Sequence, residues 1–250
     1  MKTPNETTPN LWSEENSSTF IDYGRYFIPQ REIQLDILCR LVPDLTGSIT
    51  LVELCCGEGL LAEALLRRFP SARYIGFDGS PIMLEKAGQR LQEFGTRFQP
   101  NHFDLGSKQW RNPALQADAI LSSLAIHHLT GIEKQALYAD LYRMLAPGGI
   151  LGIADLILPA SDRGASIAAR AWDSAVRRRS LELDNDLRAF AAFEEQRWNS
   201  FRYHDPDDID HPSGLLEQLH WLETAGFHKV DVYWLNAGHA IFGAERPLNS

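Results

Sequence analysis

Cysteine is scarce in this chain of 250 residues, which holds only Cys39, Cys55 and Cys56. An odd count without C-x-x-C spacing excludes a disulfide framework and argues against a structural zinc site. Adjacent cysteines do not bridge each other without strain, because bonded pairs prefer a wider Cα separation than chain neighbours have. The expectation is reduced, mostly buried thiols in a cytoplasmic protein. Long apolar runs are also missing. No stretch reaches the ~18 apolar residues of a membrane span, so no membrane partner is expected. The polar opening MKTPNETTPNLWSEENSS lacks the apolar segment of a secretory leader. Positive charge is in deficit: 24 Lys and Arg stand against 33 Asp and Glu, for a net charge of -9. Phosphate contacts call for a basic surface, so nucleic acid is disfavoured as a partner, short of a local basic groove. Internal repeats are absent. What remains is an ordinary soluble composition, 44% apolar and 23% charged, long enough for one sizeable core.

Along the chain, residues 1–12 read as disordered. An aromatic-rich segment follows at 13–28, and a helix at Arg31–Leu41. Then strands and helices alternate. Strands are expected at 49–54, 72–78, within 96–105, at 117–125 and at 149–158. Helices are expected at 60–69, 80–94 and 132–145. Ser80 is the N-cap of the second of these, with Pro81 at its first position. Pro100 marks an edge strand, and Pro147–Gly149 a turn. This alternation predicts an α/β fold with a parallel sheet and right-handed crossovers. Residues 161–225 read as helical, and 228–245 as a hairpin turning at Asn236–Gly238.

The turn ELCCGEG, Glu53–Gly59, joins the first strand of that series to its helix. Ligands sit at the carboxyl ends of strands beside such turns. Gly57 and Gly59 permit close backbone approach. GEGLLA fits the dinucleotide pattern G-x-G-x-x-A, a weak signal alone. Glu53 and Glu58 would repel a pyrophosphate at the helix N-terminus, whereas the sulfonium and ammonium of S-adenosylmethionine suit an acidic neighbour. Asp78 ends the second strand, where a carboxylate accepts both ribose hydroxyls. Asp104 stands near the end of the third, placed for an adenine amino group.

Residues 49–156 resemble the class I S-adenosylmethionine-dependent methyltransferases. ELCCGEG resembles the family's first motif, with Glu53 in the acidic role and Gly57 and Gly59 at the later glycines. Cys55 stands where the family has its first glycine, which suggests a need for a small residue rather than a positive φ. GFDGSPIML resembles the ribose motif, NHFDL the adenine motif, SSLAIHHL the fourth-strand motif and LAPGGILGIAD the fifth. The resemblance implies a Rossmann-like, seven-stranded, mostly parallel sheet with a C-terminal antiparallel hairpin and a helical cap. It also implies a methyltransferase domain over 31–250, with residues 1–30 as tail and lid and a cap insertion at about 161–225. The cofactor would meet Glu53, Cys55, Gly57, Gly59, Asp78, Gly79, Ser80, Met83, Asp104, Leu105, Ser123 and Leu124, with Tyr23 and Arg31 closing over it.

Methyl transfer needs alignment, exclusion of water and sometimes a base. His127 and His128 follow the fourth strand, and histidine accepts protons near neutrality. His127 is the first choice for the acceptor, with Asp155 on the neighbouring strand as its partner and His128 as second choice; packing or capping is the plain reading of each. Tyr26, Trp172, Trp198 and His204 are candidate acceptor contacts, against ordinary core packing of the cap. His211 could point inward too. HDPDDIDH (204–211) fits no EF-hand, lacking its glycine and its final glutamate, so no metal is expected. Arg177 and Arg178 read as a solvated face, with an acceptor carboxylate as the sharper alternative. The expected activity is methyl transfer from S-adenosyl-L-methionine to a small molecule. A tRNA or protein methyltransferase, an NAD-dependent oxidoreductase and a silent nucleoside-binding relative stay open, as does homo-oligomerisation.

Overall fold

The computed structural model describes residues 12–44, 47–203 and 209–248. Calls on residues 1–11 and on His204 therefore lie outside the described residues. Seven strands form one sheet in the order β3-β2-β1-β4-β5-β7-β6. They are β1 Thr50–Leu54, β2 Arg73–Asp78, β3 Phe98–His102, β4 Ala117–Ser123, β5 Leu145–Leu156, β6 His228–Asn236 and β7 His239–Glu245. Strands β1 to β5 pair in parallel, and β7 pairs antiparallel with both β5 and β6. The expected sheet and its terminal hairpin are therefore present. Strand order reverses between β1 and β4, and this opens a crevice at their carboxyl ends.

The helices are α1 Glu14–Phe27, α2 Arg31–Leu41, α3 Leu60–Arg68, α4 Pro81–Arg90, α5 Gly131–Met144, α6 Asp162–Asp184, α7 Arg188–Glu195 and α8 Leu215–Thr224. The inner strands are buried on both faces, as a helix-covered parallel sheet requires. One face packs Leu38, Leu61, Leu65 and Ala87 of α2, α3 and α4. The other packs Leu137, Leu141 and Met144 of α5 and Leu222 of α8. The start signal at Ser80 acts as the sequence predicts: its Oγ accepts from Met83 N at 3.2 Å, with Pro81 in the first turn. The structure adds a second one, Thr130 and Glu133, which cap α5 reciprocally. Pro100 lies on edge strand β3.

Three boundaries differ from expectation. Pro147–Gly149 does not end a connection, because β5 already begins at Leu145 and runs through it. Its register against β4 shifts between Ala117 and Ala119, so the glycines absorb a bulge, with Gly148 at φ 81°. The helix expected over 80–94 stops at Arg90, and the tighter turns of Gln92–Arg97 follow. The helical stretch 161–225 is also not one unit. Helices α1, α6 and α7 pack together as a cap, whereas α8 packs on α5, β6 and β7 and belongs to the sheet layers. Between α7 and α8 the chain crosses back to the sheet, where Ser213 bridges to Ile157 beyond β5.

The hairpin turn narrows to Ala237 and Gly238, both with positive φ (51° and 75°). That conformation matches the twist of the flanking strands.

Candidate active site

The turn after β1 holds three residues in the left-handed region: Cys55 at φ 55°, Gly57 at 52° and Gly59 at 80°. Cys55 thus corrects the reading that its position needs only a small side chain. A cysteine there bears backbone strain that a glycine would not. At Gly59 an added Cβ would meet Leu91 at 2.9 Å and Ala87 at 3.3 Å, so helix packing excludes a side chain. At Gly57 the nearest heavy atom would be Met83 Sδ at 3.9 Å, which leaves room above the turn.

Asp78 is buried at the end of β2 and braces the turn. It accepts from Gly57 N at 2.7 Å and from Ser80 N at 2.9 Å. Burial pushes its carboxyl above the usual range, against those two N–H groups. Glu53 lies beneath the turn, 2% exposed, and accepts from the Tyr74 hydroxyl at 2.7 Å. Burial pushes its carboxyl up to about 8.

Glu58 is not a bare charge. It pairs with Arg90 at 3.0 Å, and Arg90 Nε also donates to the Glu58 carbonyl at 2.9 Å. The charge argument against a dinucleotide therefore loses weight, because one carboxylate is paired and the other is buried. Arg31 has its guanidinium 5.2 Å from the Phe20 ring centroid, and its buried Nε has no hydrogen-bond partner among the described residues. Asp104 is exposed after β3 and accepts from Gly106 N at 2.9 Å, and Leu105 packs at the rim of the core. An added Cβ at Gly79 would sit 3.3 Å from the Phe103 carbonyl.

At the ends of β4 and β5 a second arrangement forms. Ser123 ends β4, and Leu124 adopts φ 56° while its N–H donates to Ala154 O at 2.8 Å. That kink carries the chain into a single tight turn, Ile126–His128. Asp155 is 2% exposed and gathers three donors. They are His127 N at 2.9 Å, Leu156 N at 2.8 Å and the His127 ring through Nδ1. Burial alone would raise the Asp155 carboxyl, but the His127 ring outweighs it and holds it below the usual range. Burial likewise opposes a charged His127, yet Asp155 and Asp210 bring its pKa out above the usual value. The pairing expected between His127 and Asp155 is therefore present.

His127 opens onto a cavity of about 530 Å³ between the sheet edge and the cap. Trp12, Phe20, Trp172 and Trp198 supply aromatic walls, and Leu124, Leu156 and Ile28 apolar ones. Trp172 is fixed by its Nε1 donating to Phe27 O at 2.7 Å. Polar groups share the lining: His127, Asp210 and His239, with Glu15, Asn16, Thr19, Gln196, Arg197 and Ser200.

One expected acceptor contact falls elsewhere. The Tyr26 hydroxyl donates to Asp184 at 2.6 Å, which ties α1 to the end of α6 and keeps it out of the cavity lining. Tyr23, expected to close over the cofactor, stacks on Phe27 at 5.4 Å. His211 is exposed, and its N–H donates to His127 O at 2.7 Å, so its neighbour Asp210 is the residue turned inward. Arg177 and Arg178 are exposed on α6.

Sequence reasoning missed Asp210 and His239. His239 sits at the start of β7, 1% exposed, and its Nδ1 donates to Ala237 O at 2.9 Å. Its Nε2 has no partner among the described residues, and burial lowers its pKa to about 4. The ring is thus neutral near pH 7, with a lone pair on Nε2. The run HAIFGAE signalled a buried strand, but nothing local signalled that its first residue meets the cavity.

A sheet of this order with a glycine turn after its first strand and an acid ending the second defines the Rossmann-like methyltransferase fold. Residues 51–149 match the family described as methyltransferase domain. The chain is 26% identical over 243 residues to the carboxy-S-adenosyl-L-methionine synthase of Desulforapulum autotrophicum, covering 94% of this chain and 92% of that protein. It is 29% identical over 188 residues to the trans-aconitate 2-methyltransferase of Acidovorax sp. (strain JS42), covering 70% and 67%.

Among solved structures, an O-methyltransferase family protein from Burkholderia thailandensis superposes with a TM-score of 0.65 at 15% identity, over 95% of this chain and 61% of that one. Haemonchus contortus phosphoethanolamine N-methyltransferase 2, in complex with S-adenosyl-L-methionine, gives 0.62 at 16%, over 94% and 57%. The chain thus spans somewhat under two thirds of the length of these two structures. Residues 51–149 thus match a methyltransferase domain, and the chain as a whole is similar to S-adenosylmethionine-dependent methyltransferases in sequence and fold. Among the described residues no helix is long and apolar enough to cross a membrane.

Proposed function

We propose that the chain transfers a methyl group from S-adenosyl-L-methionine to a small molecule seated in the aromatic cavity. One observation carries this: a cavity of about 530 Å³, walled by aromatic and aliphatic side chains together with polar ones, meets the carboxyl ends of β4 and β5, and β4 lies next to β1, whose turn bears the glycines. That volume suits a ligand of small-molecule size. The residues around the turn fit the cofactor. Asp78 takes the ribose hydroxyls with the lone pairs left by Gly57 and Ser80. Asp104 and Leu105 take the adenine. Gly57, Gly59, Gly79, Met83, Ser123 and Leu124 shape the bed. The unpartnered Arg31 Nε suits the methionine carboxylate. S-adenosylmethionine supplies an activated methyl group. The chain's own part is to align the acceptor, exclude water under α1, and hold or take the acceptor proton through His127 and Asp155.

The test is calorimetric titration with S-adenosylmethionine, S-adenosylhomocysteine and NAD, followed by transfer of labelled methyl to a panel of small hydroxy and amino acceptors. Binding of both sulfur nucleosides and labelling of one acceptor class is the expected result. Binding of NAD alone would overturn the proposal. A second reading draws on the synthase relative, which aligns over more than nine tenths of both chains. In it the nucleoside is itself the molecule modified, and Arg31 would hold an added carboxylate. The mass of the nucleoside that copurifies separates the two readings.

A further inference from the structure

His127 and His128 are consecutive, and regular secondary structure would point them apart. The tight turn at Ile126–His128 instead brings their rings to 4.1 Å between centroids. Both face Asp210, which arrives from the crossing segment between α7 and α8. His127 Nε2 lies 3.4 Å from Asp210 Oδ1, and His128 Nδ1 lies 3.0 Å from the same oxygen. With its Nδ1 proton held by Asp155, His127 Nε2 either carries a second proton toward Asp210 or, when neutral, presents a lone pair to that carboxylate. Two lone pairs facing each other repel. His128 Nδ1 is buried and, despite the short separation, makes no aligned hydrogen bond. One proton relieves one of these contacts, whereas a cation between the three atoms relieves all of them.

We propose that His127 Nε2, His128 Nδ1 and the Asp210 carboxylate bind one divalent first-row transition ion, which takes the oxygen of a hydroxyl-bearing acceptor in the cavity. This rests on the reading of that cavity as the acceptor pocket. The spacing fits. Around an ion with bonds of about 2.1 Å, ligand atoms stand about 3.0 Å apart in octahedral and about 3.4 Å apart in tetrahedral geometry. The two measured separations are 3.0 and 3.4 Å, and all three donor atoms lie within 4.8 Å of one another. The support around the ligands also fits. A metal-bound histidine normally donates its other N–H to a carboxylate, which is what Asp155 receives from His127.

The loop bearing Asp210 is anchored rather than free. His211 N donates to His127 O at 2.7 Å. The buried Lys134 donates to His211 O and, at 2.8 Å, to Ser213 Oγ. Two imidazoles and one carboxylate select zinc, cobalt, iron or manganese over magnesium and calcium, which prefer all-oxygen shells. Three protein ligands leave positions open, and His127 and Asp210 both line the cavity. With both His127 nitrogens then engaged, the acceptor's O–H bound there gives its proton to water, and His127 acts through the ion rather than as the base. The acceptor oxygen then forms the O–CH₃ bond as the S–CH₃ bond breaks, and the sulfonium becomes a neutral thioether. The acceptor class is thus a phenol, enol or alcohol. The sequence expectation of no metal had tested 204–211 as a closed loop, whereas only Asp210 of that loop takes part.

The probe is Co²⁺ titrated into chelator-treated protein, read by visible d–d absorption and calorimetry. One Co²⁺ per chain with ligand-field bands is expected. His128→Ala and Asp210→Ala should each weaken Co²⁺ by about tenfold or more and bleach the bands. Affinity for S-adenosylhomocysteine should stay within about twofold, as for a separate site. Asp210→Asn, which keeps the side chain's shape, serves if the alanine variant unfolds. Sub-stoichiometric Co²⁺, or spectra unchanged in these variants, would overturn the metal site. Retained S-adenosylhomocysteine binding in the same samples would leave the methyltransferase reading intact. Absent nucleoside binding with intact Co²⁺ binding would do the reverse.

Discussion

Asp78 and Asp155 occupy equivalent places, each closing a parallel strand at its carboxyl end, and they behave in opposite ways. Asp78 braces a glycine turn through two backbone N–H groups, and burial raises its pKa. Asp155 receives two backbone N–H groups and a histidine ring, and its pKa falls. The difference is the cation. Where only amides face it, a buried carboxylate resists its charge; where an imidazole joins them, the charge settles. One half of the crevice is thus braced at Asp78 by backbone N–H groups. The other half is braced at Asp155 by a histidine side chain as well, and under the proposed function it is the half that meets the acceptor.

The largest effect should come from the side-chain half. Asp155→Ala leaves buried donors and the His127 ring without their acceptor, and should cost about 3–5 kcal/mol in chemical denaturation. Stability left within about 0.5 kcal/mol would show that Asp155 is no keystone. Next is Glu53, whose native pKa of about 8 exceeds the ordinary carboxylate value of 4.5 that holds in the unfolded chain. Its contribution is fully present below about pH 4.5 and is lost as pH rises through 8. Glu53→Gln keeps an acceptor for Tyr74 and removes that loss. The variant should gain on the order of 3 kcal/mol relative to the parent between pH 5 and pH 9. Parallel stability curves for the two proteins would refute this.

Asp78→Ala should weaken S-adenosylhomocysteine by about 100-fold in calorimetry, the equivalent of two charge-assisted hydrogen bonds. An unchanged affinity would remove it from the nucleoside site. The smallest effect is expected for Cys55→Gly. Relief of the positive φ should stabilise the fold by up to about 1 kcal/mol, with nucleoside affinity held within about twofold. A destabilised variant would mean that the thiol's packing matters more than the strain.

The two halves also differ in how far the sequence disclosed them. The turn at 53–59, Asp78, and Ser80 with Pro81 are contiguous signals, because each motif folds against its own neighbours. The Glu58 argument misled, because Arg90 comes from the next helix and neutralises it. Cys55 misled because a non-glycine residue gives no local sign of positive φ. In the acceptor half His127, His128, Asp155, Leu124 and the two cap tryptophans were legible. Asp210, His239 and Trp12 enter the cavity from distant segments, and their local patterns read as a solvated turn, a strand start and a tail. Tyr26 looked like a site residue for its chemistry, yet Asp184 claims its hydroxyl.

Helix α1 belongs to neither half and touches both. At its start Glu14 accepts from Ile82 N at 3.3 Å, over the helix that follows Asp78. Just before it, Trp12 lies 5.3 Å from the His128 ring, and along its length it packs on α6 and α7. A displacement of α1 that widens the cavity also loosens its grip beside the nucleoside. Under the proposed function, occupancy of one pocket should therefore be felt in the other. The expected kinetic pattern is an ordered one, in which the nucleoside enters first and leaves last, and the acceptor raises its residence time.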